Sequence, residues 1–275
     1  MRRSLALLGA LLAVSAASSA RAQTAGGTVA VLYAGSLVTP MEGPIKAALA
    51  DRGITFAGEG GGSKMLANLI ASGAKNPDVF ISVDPQIVRG LGDKVNGSVA
   101  FASTSLGVGW IAGSKYAADF DAVAAGKRSL LDVLSQPGLA IGRTDPRLDP
   151  KGVYTVDAVK RLAGTQAATR ILGADENPAQ TFPEQDLLVR IETGQADVGF
   201  FYRTEAVARH LNFAPLPEPA SQKITYVIAV MQSAPHAVQA AAFRDFIVTG
   251  AGRAILQSAG LEYFERPIPL RDFSP

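Results

Sequence analysis

The sequence predicts a two-lobed α/β chain with a ligand cleft between the lobes. Three observations predict it: short apolar runs alternate with helical patterns, several helices carry readable start signals, and two polar stretches precede apolar strands. Thr28–Tyr33, Asp78–Val83, Leu106–Ile111, Leu139–Gly142, Val198–Tyr202 and Ile224–Val230 read as buried strands. Thr39-Pro40-Met41-Glu42 offers a cap, a proline at the first helical position and an acid in the first turn. Thr181-Phe182-Pro183-Glu184 reads as a second capping box, while Asp84-Pro85 and Asp149-Pro150 are cap-plus-proline starts. Such alternation predicts mostly parallel sheets flanked by helices. The polar stretch Ala102–Ser105 and the loop Pro215–Lys223 read as crossings between lobes. Lobe I is then 23–105 plus 224–275, and lobe II is 106–223.

The chain begins with Arg2 and Arg3, an apolar run from Leu5 to Ala17, and the small-residue end Ala20-Arg21-Ala22. This pattern predicts a secretory signal peptide over 1–22, cleaved after Ala22. The apolar run is short for a membrane span, and with no cysteine in the chain a lipid anchor on a new N-terminal Cys is excluded. Residues 1–22 hold three arginines and no acid, so the formal charge of +2 belongs to the leader. No Lys/Arg block points to nucleic acid. The absence of cysteine also excludes a disulfide scaffold. About 250 residues after the leader suffice for one large domain or two ordinary ones.

The densest chemical signal is Gly58-Glu59-Gly60-Gly61-Gly62-Ser63-Lys64, which runs into the helical pattern Met65–Ile70. Adjacent glycines, Gly62 among them, permit close main-chain approach, and a helix start offers free N–H groups and partial positive charge to an anion. The spacing is neither that of a P-loop nor that of a dinucleotide fingerprint. Ser63 has two compatible readings, helix cap and ligand donor. Ser36 is freed for a ligand if Thr39-Pro40 starts the helix. Glu59, beside the glycines, is expected to face solvent. His210 reads as a helix-end surface residue, His236 lies near a helix start, and Trp110 reads as core or cleft lining. No metal-ligand spacing is present.

Val31-Leu32-Tyr33-Ala34-Gly35-Ser36-Leu37, followed by the Gly/Ser loop at 63, resembles the molybdate/tungstate-binding proteins of ABC importers. The resemblance continues through Pro77–Asp84, Leu148–Tyr154, Glu192–Ala206, Ile224–Val230 and a helix around Ala241–Val248. It implies a type II periplasmic binding protein fold closing over a dehydrated tetrahedral oxyanion held by neutral donors. By position, the two serines are Ser36 and Ser63 and the tyrosine is Tyr202, with main-chain donors near Lys151 and near Glu184. Each hydrogen bond to an ionised group contributes about 1.5–3 kcal/mol, so several together offset desolvation. The resemblance further implies a monomer in the periplasm, an inner-membrane ABC permease as partner, no nucleic acid and no cofactor.

Archaeal-type members hold the metal centre with an Asp and a later Glu. Asp149 matches the Asp, but Phe201 stands at the Glu position, and Phe201–Ala206 is closer to the bacterial tetrahedral binders. The mixture implies tetrahedral or weakly expanded coordination with Asp149 as at most one carboxylate contact. Each residue also has a plain structural reading: Asp149 as an N-cap, Tyr202 as core, and Lys151 as a solvated charge or an attractor of anions. Another oxyanion or a small organic acid is the alternative ligand. An exported serine hydrolase using Ser36 or Ser63 is a remote third, since GxSxG and a base near either serine are absent.

Overall fold

The computed structural model describes residues 26–274, so the leader expected over 1–22 lies outside the described residues. Strand β1 (Gly27–Ala34) is followed by a continuous helical stretch over 35–50. Then come β2 (Ile54–Gly61), the helix Ser63–Ala71, β3 (Val79–Ser82), the helix Pro85–Arg89 and the long β4 (Val95–Trp110). The second half holds β5 (Ile141–Gly142), the helices Pro150–Ala163, Thr165–Leu172 and Glu184–Glu192, β6 (Val198–Tyr202), the helix Arg203–Ala208 and β7 (Asn212–Pro215). The chain returns through β8 (Lys223–Met231), the helices Ala237–Val248 and Ala251–Ser258, and β9 (Glu262–Pro269).

The strand order is β2-β1-β3-β8-β4-β6-β5, with β7 and β9 also on β4. Parallel pairing, expected for most of each sheet, holds for β1 with β2 and β3 and for β5 with β6. The long strands β4 and β8 run antiparallel to every neighbour. The reason is topological: they carry the chain out of one half of the sheet and back, so they must run in opposite directions. β4 pairs with β8 up to Ser105 and with β6 from Leu106 onward. One apolar cluster extends through both halves, from Val29 and Ile81 to Val198 and Phe200.

All six expected strands are present, and β2 and the first part of β4 are strands beyond those expected. Ile54-Thr55-Phe56 alternates buried and exposed at the edge of the sheet, and the glycines Gly58, Gly60 and Gly61 extend that strand. β4 is buried early on Ala100, Phe101, Ala102 and Ser103, a set with weak apolar signal.

Two helix starts differ from expectation. The first helix begins at Gly35, and Thr39 makes no cap; Pro40 and Pro44 fall inside it, Pro40 just before and Pro44 within a widened π segment at Met41–Ile45. Prolines remove i→i−4 donors, and a π turn absorbs that loss. At the second, Pro183 is the N-cap position and Thr181 instead donates its hydroxyl to the Asp175 carbonyl at 3.2 Å. Asp84 and Asp149 do cap, each accepting from the N–H two residues on.

The segment leading to Glu184 is pinned by Arg143. Its buried guanidinium donates to the carbonyls of Leu172, Ala174 and Asp175 at 3.2, 2.6 and 3.2 Å. The Leu172 carbonyl ends the Thr165–Leu172 helix, where cations complement the dipole.

Candidate functional site

Ser36 lies in the first turn of the 35–50 helix, is 4% exposed, and its Oγ is 2.9 Å from Tyr226 Oη. Since that helix starts at Gly35 rather than at Thr39, Ser36 is part of its first turn, yet its side chain caps nothing. Tyr226, on β8, also reaches Thr204 Oγ1 at 3.3 Å. Ser63 is the first residue of its helix with Gly62 as N-cap, and its buried Oγ accepts from the Val83 N–H at 3.3 Å instead of capping. Tyr202, at the end of β6, is 1% exposed, and its hydroxyl has no hydrogen-bond partner among the described residues. Burial, with Asp149 and Tyr154 nearby, pushes that phenol well above its ordinary value.

Gly62 makes its close approach to the protein itself. A β-carbon there would lie 2.7 Å from the Leu148 carbonyl oxygen and 3.6 Å from the Asp149 α-carbon. The glycine run thus brings the Ser63 helix start against the Asp149 helix start across the cleft. Glu59 faces outward and pairs with exposed Lys75 at 2.6 Å.

Asp149 accepts from the Lys151 N–H at 2.9 Å, which occupies the donor expected for a ligand. Lys151 is wholly buried, not solvated, and its ammonium donates to Glu205 Oε1 at 2.5 Å and Glu184 Oε1 at 3.1 Å. It is therefore neutralised internally and is no free attractor of anions. Burial alone would lower its pKa, but Glu184 and Glu205 outweigh this and hold it raised. Burial pushes Asp149 up to about 6, helped by the Glu184 charge, and pushes Glu184 up to about 7 against the pull of Lys151. Phe201 packs its ring centroid 5.5 Å from the Lys151 ammonium.

A cavity of about 490 Å³ opens beside these groups, lined by Gly62, Met65, Leu148, Asp149, Phe182 and Glu184 among others. Three of the seven expected residues, Gly62, Asp149 and Glu184, are in its wall. Ser36, Ser63, Lys151 and Tyr202 are buried residues outside that wall. Sequence reasoning missed Tyr226, Thr204 and Glu205. Glu205 had a signal: it stands three residues after Tyr202, and its Oε2 accepts from the Tyr202 N–H at 2.8 Å, the capping-box geometry. Trp110 is core and donates to Asp121 Oδ1 at 3.2 Å, while His210 is exposed. His236 precedes its helix and engages buried Asp78 through both its N–H and its ring nitrogen. Among the described residues no His/Cys/Asp/Glu group could hold a metal ion, and no helix is long and apolar enough to cross a membrane.

The chain belongs to the bacterial extracellular solute-binding protein family, whose model matches residues 29–262. A solute-binding protein of Halobacterium salinarum is 33% identical over 196 residues, covering 70% of this chain and 62% of its own length. A protein of Haloferax volcanii named as an ABC-transporter molybdenum-binding protein is 30% identical, covering 69% of this chain and 60% of its own length. The chain thus spans about three fifths of the length of these two relatives. Among solved structures, the periplasmic molybdate-binding protein of Azotobacter vinelandii superposes with a TM-score of 0.68 at 19% identity, covering 85% of this chain and 97% of that one. The sulfate-binding protein SubI of Mycobacterium tuberculosis superposes with 0.67 at 18% identity, covering 87% and 88%. These two establish the two-lobed periplasmic binding protein fold.

Proposed function

We propose that this chain is the solute-binding component of an ABC importer. It captures molybdate or tungstate in the periplasm, after export and loss of residues 1–22, and delivers it as a monomer to an inner-membrane permease. The lobes are 23–105 with 224–275, and 106–223; the change of β4 partners between Ser105 and Leu106 supports that border. The observation that carries the reading is the Tyr202 hydroxyl, buried without a hydrogen-bond partner among the described residues. An unmet buried hydroxyl costs about 1–3 kcal/mol, and a dehydrated oxyanion supplies the missing acceptor. Ser36, Ser63 and Tyr226 add neutral donors, and the molybdenum-binding name of the Haloferax relative agrees. The role is carriage, without a catalytic residue.

The test is calorimetry on the exported chain with molybdate, tungstate, sulfate and phosphate. Heat from the first two and none from sulfate is the expected result; silence from both heavy oxyanions removes the reading. One observation favours a second ligand class, a small organic acid. The cavity is large for five heavy atoms, and Met65, Leu148 and Phe182 give it apolar walls. A carboxylate ligand displacing molybdate in the same titration would select that class.

A further inference from the structure

Glu184 and Glu205 hold the same lysine but are held differently themselves. Glu205 uses both oxygens, Oε1 on Lys151 Nζ and Oε2 on the Tyr202 N–H, and its side chain is 2% exposed. Glu184 uses Oε1 on Lys151 at 3.1 Å, and its side chain is 10% exposed in the cavity wall. Its Oε2 fills the space a β-carbon on Gly35 would take. Gly35 directly follows β1 and opens the 35–50 helix, in the half of the sheet with β2 and β3. Glu184 opens a helix that precedes β6, in the other half. A carboxylate from one half therefore lies against a helix start of the other, beside Ser36, where negative charge is favoured.

We propose that the Glu184 carboxylate is a tethered counter-ligand: in the ligand-free chain it holds the cleft shut against Gly35, and an arriving anion must displace it. The inference rests on the oxyanion reading only for the identity of the displacing ligand. Gly35 is the residue that admits the carboxylate, since any side chain there would expel it. Glu205 keeps Lys151 in place, so the displaced Glu184 retains a cation to pivot on. The device sets selectivity as well as affinity. A ligand that offers less charge to the helix start than a carboxylate does not unseat Glu184.

The test uses the absence of native cysteine. Lys64→Cys and Val189→Cys, both at exposed positions, place spin labels on the Ser63–Ala71 and Glu184–Glu192 helices. Label distances are measured on the ligand-free exported chain, and molybdate affinity by calorimetry, for the parent, Glu184→Ala and Gly35→Ala. Both substitutions should shift the ligand-free distances outward. If the latch holds nine-tenths of molecules, its removal should tighten molybdate binding about tenfold. An unchanged ligand-free distance, or an affinity that fails to rise, overturns the proposal. If the parent binds no molybdate, the oxyanion reading falls, and the ligand-free distances alone decide the latch.

Discussion

Ser36 Oγ and Tyr226 Oη lie 2.9 Å apart, tying the first turn of the 35–50 helix to β8. Tyr226 also holds Thr204 at 3.3 Å, so one phenol orients two hydroxyls. Removing either end has different consequences. Ser36→Ala deletes a donor proposed for the ligand but leaves Tyr226 with Thr204, so anion binding should weaken by about 1.5–3 kcal/mol with little change in folding. Tyr226→Phe strands both Ser36 and Thr204 in a buried setting and should also lower stability, by about 1–3 kcal/mol. Calorimetry and urea unfolding on both variants separate the two effects; equal stability losses would contradict the assignment.

Lys151 is the cation that two buried carboxylates share. Removing one partner of a buried ion pair leaves uncompensated charge and costs about 3–5 kcal/mol. Lys151→Met should therefore destabilise the chain by that amount in urea unfolding. Adding Glu205→Gln should recover part of the loss, because one of the two stranded charges is gone. A Lys151→Met variant as stable as the parent would mean that the triad contributes nothing.

The raised acids fix the sign of the pH dependence. Glu184 titrates at about 7 in the folded chain against an ordinary 4.5, and Asp149 at about 6 against 3.8. In both cases the folded state holds its proton more tightly than the unfolded chain. Their contribution to stability is therefore full below the ordinary carboxylate values and is lost as pH rises through about 6 to 7. The thermal midpoint of the ligand-free chain should fall between pH 5 and pH 8, and Glu184→Gln should flatten the upper part of that fall. A midpoint that climbs over the same range would show that other groups dominate.

The strands and the capped starts at Asp84 and Asp149 were legible because their signals are local: apolar runs, and a short acid before proline. The starts at Thr39 and Thr181 misled for the converse reason. Thr39 lies inside a helix that begins where β1 ends, at Gly35, and Glu184 bonds Lys151 instead of capping. The glycine run was legible as a place of close approach, but not for what comes close. Its nearest neighbour at Gly62 is the Leu148 carbonyl, 86 residues on in sequence, and no local pattern carries such a pairing. Tyr226, Thr204 and the Lys151 triad are long-range in the same way. Asp149, Lys151 and Glu184 stood out as charged residues at helix starts, whereas their burial in one cluster arises only when the helices Pro150–Ala163, Glu184–Glu192 and Arg203–Ala208 pack together.

On the proposed molybdate or tungstate reading, the coordination of the anion's metal centre follows from what Asp149 and Phe201 are doing. Asp149 Oδ1 is engaged by the Lys151 N–H at 2.9 Å, which leaves Oδ2 as its one oxygen for a direct bond. Phe201, at the position where the resemblance implied a second carboxylate, is fully buried with its ring beside the Lys151 ammonium. Glu205 is committed to Lys151 and the Tyr202 N–H, so it is not a substitute ligand. X-ray absorption on the molybdate-loaded chain should therefore show the short oxo shell of a tetrahedral anion, with at most one longer oxygen. Asp149→Asn should remove that longer oxygen if present and leave the short shell unchanged. A six-oxygen shell in the parent, reduced by two in Asp149→Asn/Glu184→Gln, would instead make Glu184 the second ligand and move it from competitor to coordinator.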